Sequence, residues 1–481
     1  MIAVLFAATS IMTSCLDNDV EQITYTSETS ITGFSLGTLN IDRIGKDKNG
    51  LDSPYVDTLD CSNYPFTIDQ INRTITNKDS LPVGTHIDKV ITSITYDAGM
   101  LGYTPKGSDH DTIWTSTDSI DFTDPVEFKV YAYSGVEGKP YKVTINVHKQ
   151  EPDTISWKKF DTQLFNAGSL SEQKAVYANG KVYVFGKVYV FGKNGNGTHI
   201  EYSDVSNDNP TSWVAVTKNV PADIDTYSAT ACAGYIYFLA GTDKQLYKLD
   251  ANSNEITSVN TETFEMLIGG NDIKSELYTV KGGKTGIYKE NTWTEDANPF
   301  TLFPAGKPFF SNTTTASYNS DITTTIALCN NPTANDTAAL VFNRISSDNK
   351  WEERIQNLPL PNLENVTMIY YDGKLYAFGG KSKKPEVKPF SQFYCSTDNG
   401  LCWRPVTECM AFPAEVPDPE KPNKEYINFP NLYDTYHGNY SCAVTPKLEN
   451  ETSRGNFIWI VWEDGSICRG RINRLGFTPK W

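Results

Sequence analysis

Ser396-Thr397-Asp398-Asn399-Gly400-Leu401-Cys402-Trp403 is the sharpest short motif in the chain. A carboxylate placed like Asp398 can accept N–H groups across a turn, Gly400 can supply positive φ, and the Trp403 indole can pack between sheets. With Ser396, these residues fasten a hairpin turn, which is structural chemistry. A second group has binding chemistry: Tyr426, Phe429, Tyr433 and Tyr436 lie in the Pro-rich segment Phe412–Tyr436. Rings in a loop beside Lys, Asp and Asn suit stacking on a sugar or a protein hot spot. The alternative is that they pin the segment to the body of the protein. Lys381, Lys383 and Lys384 stand in another loop, Lys381–Lys388.

Other chemistries find too few residues. The C-terminal two thirds hold two histidines, His199 and His437, fewer convergent ligands than a redox metal site wants. Asp250-Ala251-Asn252-Ser253-Asn254 starts like a calcium loop but lacks the glycine and the bidentate Glu. Asp418 and Glu420 sit in a loop with nothing to fix a glycosidase separation. No arginine occurs between Arg73 and Arg344, which removes a multi-arginine carboxylate clamp. Nucleophile elbows, phosphate loops and metal-binding cysteine spacings are absent. The expectation is no catalytic residue, no metal and no cofactor.

The elements that must position these residues follow from a recurring phrase, a small residue, an aromatic-aliphatic strand, then glycine. It runs Gly180–Gly186, Gly234–Gly241 and Gly373–Gly380, with echoes at Glu276–Val280, Thr323–Leu328 and Asn456–Val461. Such spacing predicts a β-propeller, here six-bladed. Trp213, Trp293, Trp351 and Trp403 mark outer strands, and Ser156-Trp157-Lys158-Lys159 precedes the first blade. Ring closure predicts that residues 155–160 complete the sixth blade beside the C-terminal strands, leaving no open sheet edge. Antiparallel alternation then opens the 381–388 loop and the 412–436 insert on one face, side by side. Lys181–Gly186 is repeated directly as Lys187–Gly192. Six residues preserve side-chain parity, so either copy fits the slot, and the second copy is expected to be extruded.

Upstream, residues 23–150 alternate apolar and polar over short runs, as in Ile87–Thr92 and Phe128–Tyr133, broken by turn residues. This predicts an Ig-like β-sandwich closing on an edge-quality strand, Tyr141–Val147. Residues 148–154 are the joint, and the propeller spans 155–481.

Residues 1–14 form a short apolar run ending in small residues before Cys15, a signal peptide rather than a membrane span. The run resembles a bacterial lipobox, which implies lipid on Cys15 and a tether over 15–22. Asp17-Asn18-Asp19 resembles the surface-export tag of Bacteroidetes-type lipoproteins. The formal net charge of −16 argues against nucleic acid and fits an extracytoplasmic protein. Of the nine cysteines, Cys232 and Cys329 lie in apolar strand patterns and read as buried thiols. A disulfide among Cys395, Cys402, Cys409, Cys442 and Cys468 stays open, since connectivity is not written in sequence.

The motif at Ser396–Trp403 resembles the Asp box of sialidases and related propellers, with Cys402 where threonine is usual. The repeats resemble the kelch/galactose-oxidase-like group, although the Gly379-Gly380 doublet is intact in one blade alone. Over nearly everything after Cys15, the chain resembles an uncharacterised Bacteroidetes-type lipoprotein family pairing an Ig-like domain with such a propeller. The expected fold is therefore all-β, an N-terminal Ig-like β-sandwich followed by a six-bladed kelch-like β-propeller. The expected role is a surface-exposed outer-membrane lipoprotein, membrane-bound through lipid alone. It would bind a glycan or partner protein through Lys381, Lys383, Lys384, Tyr426, Phe429, Tyr433 and Tyr436. The alternative is an extracytoplasmic carbohydrate-active enzyme with its site in the propeller channel.

Overall fold

The computed structural model describes residues 25–46, 52–77, 79–149, 154–188, 197–304, 308–316, 319–332, 338–406, 410–417, 425–445 and 456–472. Cys15 with the whole leader and tether, most of the second duplicate copy, Cys409, Asp418 and Glu420 lie outside these residues. The chain divides into two compact units, Met1–Glu151 and Pro152–Trp481.

In the first unit, a three-stranded sheet (Ile31–Leu36, Val90–Tyr96, Ser119–Ile120) shares one apolar core with a six-stranded sheet. The alternation in Val90–Tyr96 turns Val90, Thr92 and Ile94 inward and leaves Ile91 outside. Tyr141–Thr144 is not an edge strand as its sequence predicts. It pairs antiparallel with Val126–Tyr131 and parallel with Thr74–Asn77. Both of its ladders are occupied, and Tyr141 and Val143 are buried.

The second unit contains six four-stranded antiparallel sheets among the described residues. Sheet one is Ser171–Ala178, Lys181–Val188, Gly197–Asp204 and Val214–Ala215. Sheets two to five begin with Ile224–Cys232, Met266–Asn271, Phe310–Ala316 and Thr367–Tyr371. Sheet six runs from Tyr440–Val444 through Ile458–Trp462 and Ile467–Ile472 to Ile155–Phe160 as its outer strand. First strands neighbour one another in sequence order, and that of sheet six returns to that of sheet one. The recurring phrase supplies the second strand of all six sheets.

That phrase is largely apolar because both faces of each sheet are covered, and its threonines Thr279, Thr323 and Thr325 are buried too. Val182 and Val184 enter the core between sheets six and one, while Tyr183 and Phe185 enter the core between sheets one and two. Similar cores fill the other seams. Polar side chains stitch the first strands as well. Thr226 Oγ1 donates to Glu172 O (2.5 Å), Thr313 Oγ1 to Gly270 O (3.3 Å), and Ser441 Oγ to Gln173 Oε1 (3.0 Å). The seam between sheets three and four also holds a buried bidentate pair, Arg344 with Asp296 at 2.7 and 2.8 Å.

The duplication departs from its expected extrusion at its start. Lys187 and Val188 of the second copy continue the ladder opposite Thr198 and Gly197, because the partner strand Gly197–Asp204 is long enough to meet them. Val188 packs on the same core as Val182, as conserved parity requires.

Candidate functional site

The first strands surround a cavity of about 650 Å³, within the range of small-ligand sites. Its walls carry methyls from Ala175, Ala229, Ala231 and Ala443, and polar groups from Thr230, Asn312 and Thr313. Small side chains are needed here because first strands from every sheet converge on the axis. Asp272, Ile273 and Tyr370 also line it, and Ile273 and Tyr370 are 52% and 42% exposed. These two apolar groups therefore face solvent where first strands turn back into second strands. Asp272 Oδ1 accepts the Ala233 N–H at 2.8 Å, which fixes that carboxylate beside the opening.

Lys174 is the cation among the described lining residues. It sits at a register shift in Ser171–Ala178 and reaches inward. Its Nζ donates to the carbonyls of Tyr227 (2.8 Å) and Phe309 (2.9 Å), and stands 5.5 Å from the Phe310 ring centroid. Burial pushes the ammonium down to about 8, with Asp225 opposing the shift. Burial also raises the neighbouring Tyr227 phenol to about 12. On the wall, burial lifts the Cys442 thiol above its ordinary range, making it a poor nucleophile. The lining can thus offer amide, hydroxyl and ammonium hydrogen bonds with apolar and aromatic contact.

The rim of sheets five and six is differently built from its sequence expectation. The structure does bring the 381–388 loop beside the insert, where Glu364 N donates to Lys381 O (2.9 Å) and Gly380 abuts Tyr433. The insert, however, contains a helix, Phe429–Thr435, capped by the Asn428 side chain on Asn431 N. Phe429 and Tyr433 are buried, at 0% and 6% exposed, among Phe390, Phe412 and Trp462. They are corrected from ligand-binding to packing residues. Tyr436 stacks on Trp462 and donates to Asp464 Oδ2 (2.9 Å), so it too fastens the insert. Tyr426 is half-buried, and Lys381, Lys383 and Lys384 are exposed.

At the Ser396–Trp403 turn, Ser396 Oγ donates to Asp398 Oδ1 (2.8 Å) and accepts Gly400 N (2.9 Å). Asp398 Oδ1 accepts Cys402 N (2.9 Å), Gly400 has φ +87°, and Trp403 is buried in the core between sheets four and five. Burial opposes ionisation of Asp398, but the bonds from Cys402 and Ser396 outweigh it and hold the carboxyl below its ordinary value. His437 pairs with Glu463 at 3.1 Å, and His199 lies apart on Gly197–Asp204. Among the described residues, no three or more His, Cys, Asp or Glu side chains group as a metal site. The described cysteines are unbridged, with Cys232, Cys329, Cys442 and Cys468 buried.

Lys174, Asn312, Ile273 and Tyr370 have no motif in the sequence. The signal for Lys174 is a lysine inside the run Gln173–Val176, which otherwise reads as inner strand.

With this geometry in view, residues 151–480 match the DUF6242 beta propeller domain. Residues 34–145 match the DUF6242 N-terminal domain, a domain of unknown function. The chain belongs to the DUF6242 family. Its propeller unit is thus the six-sheet unit described above. No curated protein matches this DUF6242 chain. Among solved structures, it is similar to an auxiliary nutrient binding protein from Bacteroides thetaiotaomicron VPI-5482. The identity is 10% and the TM-score 0.39, covering 85% of this chain and 98% of that one. It is also similar to a structural genomics protein of unknown function from the same organism, at 12% identity and TM-score 0.34, with the same coverages.

Proposed function

We propose that this DUF6242 protein is a binding protein that takes a glycan into the central cavity of a six-bladed, kelch-like propeller. The observation that carries this reading is the cavity itself. It is large enough for a sugar unit, lined by amide, hydroxyl and methyl groups, and bordered by the exposed Tyr370. Sugars present hydroxyls to such donors and acceptors and C–H faces to such rings. Among the described lining residues no activated nucleophile is paired with a base, which favours binding over the carbohydrate-active enzyme. A glycan array followed by calorimetry on the soluble protein tests the reading. Saturable binding is expected, and failure of every glycan to bind would contradict it.

A second reading places a partner protein on the rim, where Lys381, Lys383 and Lys384 are exposed beside the half-buried Tyr426. The N-terminal unit is an Ig-like sandwich spanning 23–150, and lipid on Cys15 holds the protein on the outer-membrane surface of a bacterial envelope. Cys15→Ser should release it from the membrane fraction, since a leader peptide of this length cannot replace the acyl chains. Continued detergent-dependent partitioning would remove that proposal.

A further inference from the structure

Lys174 occupies an unusual electrostatic position. Two of its three N–H directions are fixed by the Tyr227 and Phe309 carbonyls. Asp225, the acid that acts on it, lies 3.6 Å from Lys244 Nζ and is shared with that more exposed lysine. Lys174 is half-buried, and a lysine partly desolvated without a close carboxylate carries a cost that a bound anion would offset. Its side chain lines the cavity with Asn312 and Thr230, which add donors of their own, and with Thr313, whose hydroxyl is engaged with the Gly270 carbonyl.

We propose that the cavity selects a carboxylate-bearing sugar, with the acid group seated on the third N–H of Lys174. This rests on the reading that the cavity is the glycan site. A single carboxylate fits better than a polyanion, because Asp272 and Asp372 also line the cavity and would repel a densely charged ligand. One ammonium with one remaining donor suits a monodentate charge contact, whereas the neutral sugar ring meets Tyr370 and the alanine methyls. The ionisable groups lining the site are Lys174, Tyr177, Asp272, Tyr370, Tyr371, Asp372 and Cys442, while Asp225 and Tyr227 face Lys174 from behind the wall. Lys174, at about 8, titrates between pH 7 and 9. Affinity for an acid ligand should therefore fall as pH rises through this window.

The test uses an oligogalacturonide and its fully methyl-esterified counterpart, which differ in charge while keeping the sugar backbone. Each is titrated calorimetrically into the whole protein and into Lys174→Met and Lys174→Arg variants at pH 7 and 9. The acid form should bind wild type at least tenfold more tightly than the ester at pH 7, with the advantage shrinking at pH 9. Lys174→Met should abolish the advantage. Lys174→Arg, whose charge persists, should keep it at both pH values. Equal binding of acid and ester by wild type, or a tenfold preference surviving Lys174→Met, overturns the proposal. If that equal binding is lost in Tyr370→Ala, the cavity reading stands and the acid selectivity falls. If neither compound binds, the acid proposal falls, and the glycan array alone decides the cavity reading.

Discussion

Lys174 Nζ lies 2.9 Å from the Phe309 carbonyl oxygen, although their first strands belong to sheets one and four, opposite one another in the cycle. The same ammonium holds Tyr227 of sheet two at 2.8 Å. One side chain thus braces three sheets from inside the ring, and supplies charge to the cavity they enclose.

The brace makes stability depend on pH in a defined direction. Lys174 titrates at about 8 in the folded protein, against an ordinary value of 10.5. Between these values the unfolded chain binds the extra proton, so stability rises with pH across this window. Below pH 8 the charged form carries its full desolvation cost. Urea midpoints should therefore increase for wild type relative to Lys174→Met between pH 7.5 and 9.5. A difference that stays flat or falls would show that the ammonium is well solvated.

Glu201 should be an anchor of ring closure. It is fully buried and accepts Asn166 N (2.9 Å), Ala167 N (2.8 Å) and Asn166 Nδ2 (2.9 Å) from the segment joining the closing strand to sheet one. Glu201→Ala removes the acceptor of two part-buried backbone N–H groups, while Asn166 Nδ2 keeps the Trp213 carbonyl at 2.8 Å, costing about 2 kcal/mol. Chemical denaturation measures this directly, and a loss below about 0.5 kcal/mol would mean that water replaces the carboxylate.

Gly380 and Tyr433 should behave as one packing unit. A Cβ at Gly380 would lie 2.5 Å from the Tyr433 hydroxyl oxygen, so Gly380→Ala must displace the helix Phe429–Thr435. Tyr433→Ala should cost about 3 kcal/mol as a buried aromatic truncation, whereas Tyr426→Ala should cost well under 1 kcal/mol. Thermal melts of the three variants decide it. Equal melting temperatures for Tyr433→Ala and wild type would show that Tyr433 is not a packing group.

The second strands were legible because covering both faces of a sheet forces a largely apolar run, which glycine-bearing turns then punctuate. Trp293 and Trp351 lie in outer strands, Trp213 and Trp403 stand one residue before theirs, and the closing strand with Trp157 was readable because an open edge is unfavourable. The orientation of the insert's rings was not legible. A seven-residue helix leaves too short a period to show that Phe429 and Tyr433 turn inward, and Tyr426 lies before its cap. Nor could sequence distinguish Tyr141–Thr144 from an edge strand, since its parallel partner Thr74–Asn77 is remote in the chain. Lys174 escaped for a related reason, because its partners are carbonyls, which have no residue signature.

The most direct test compares ligand capture by two variants on one glycan array. Tyr370→Ala with Asn312→Ala alters the cavity, while Lys383→Ala, Lys384→Ala and Tyr426→Ala alter the rim. Losing a stacking ring and a hydrogen-bond donor together should weaken binding by more than about tenfold. The account predicts that loss for the cavity variant, with an unchanged melting temperature, and wild-type capture by the rim variant. Full capture by the cavity variant, with loss in the rim variant, would contradict it.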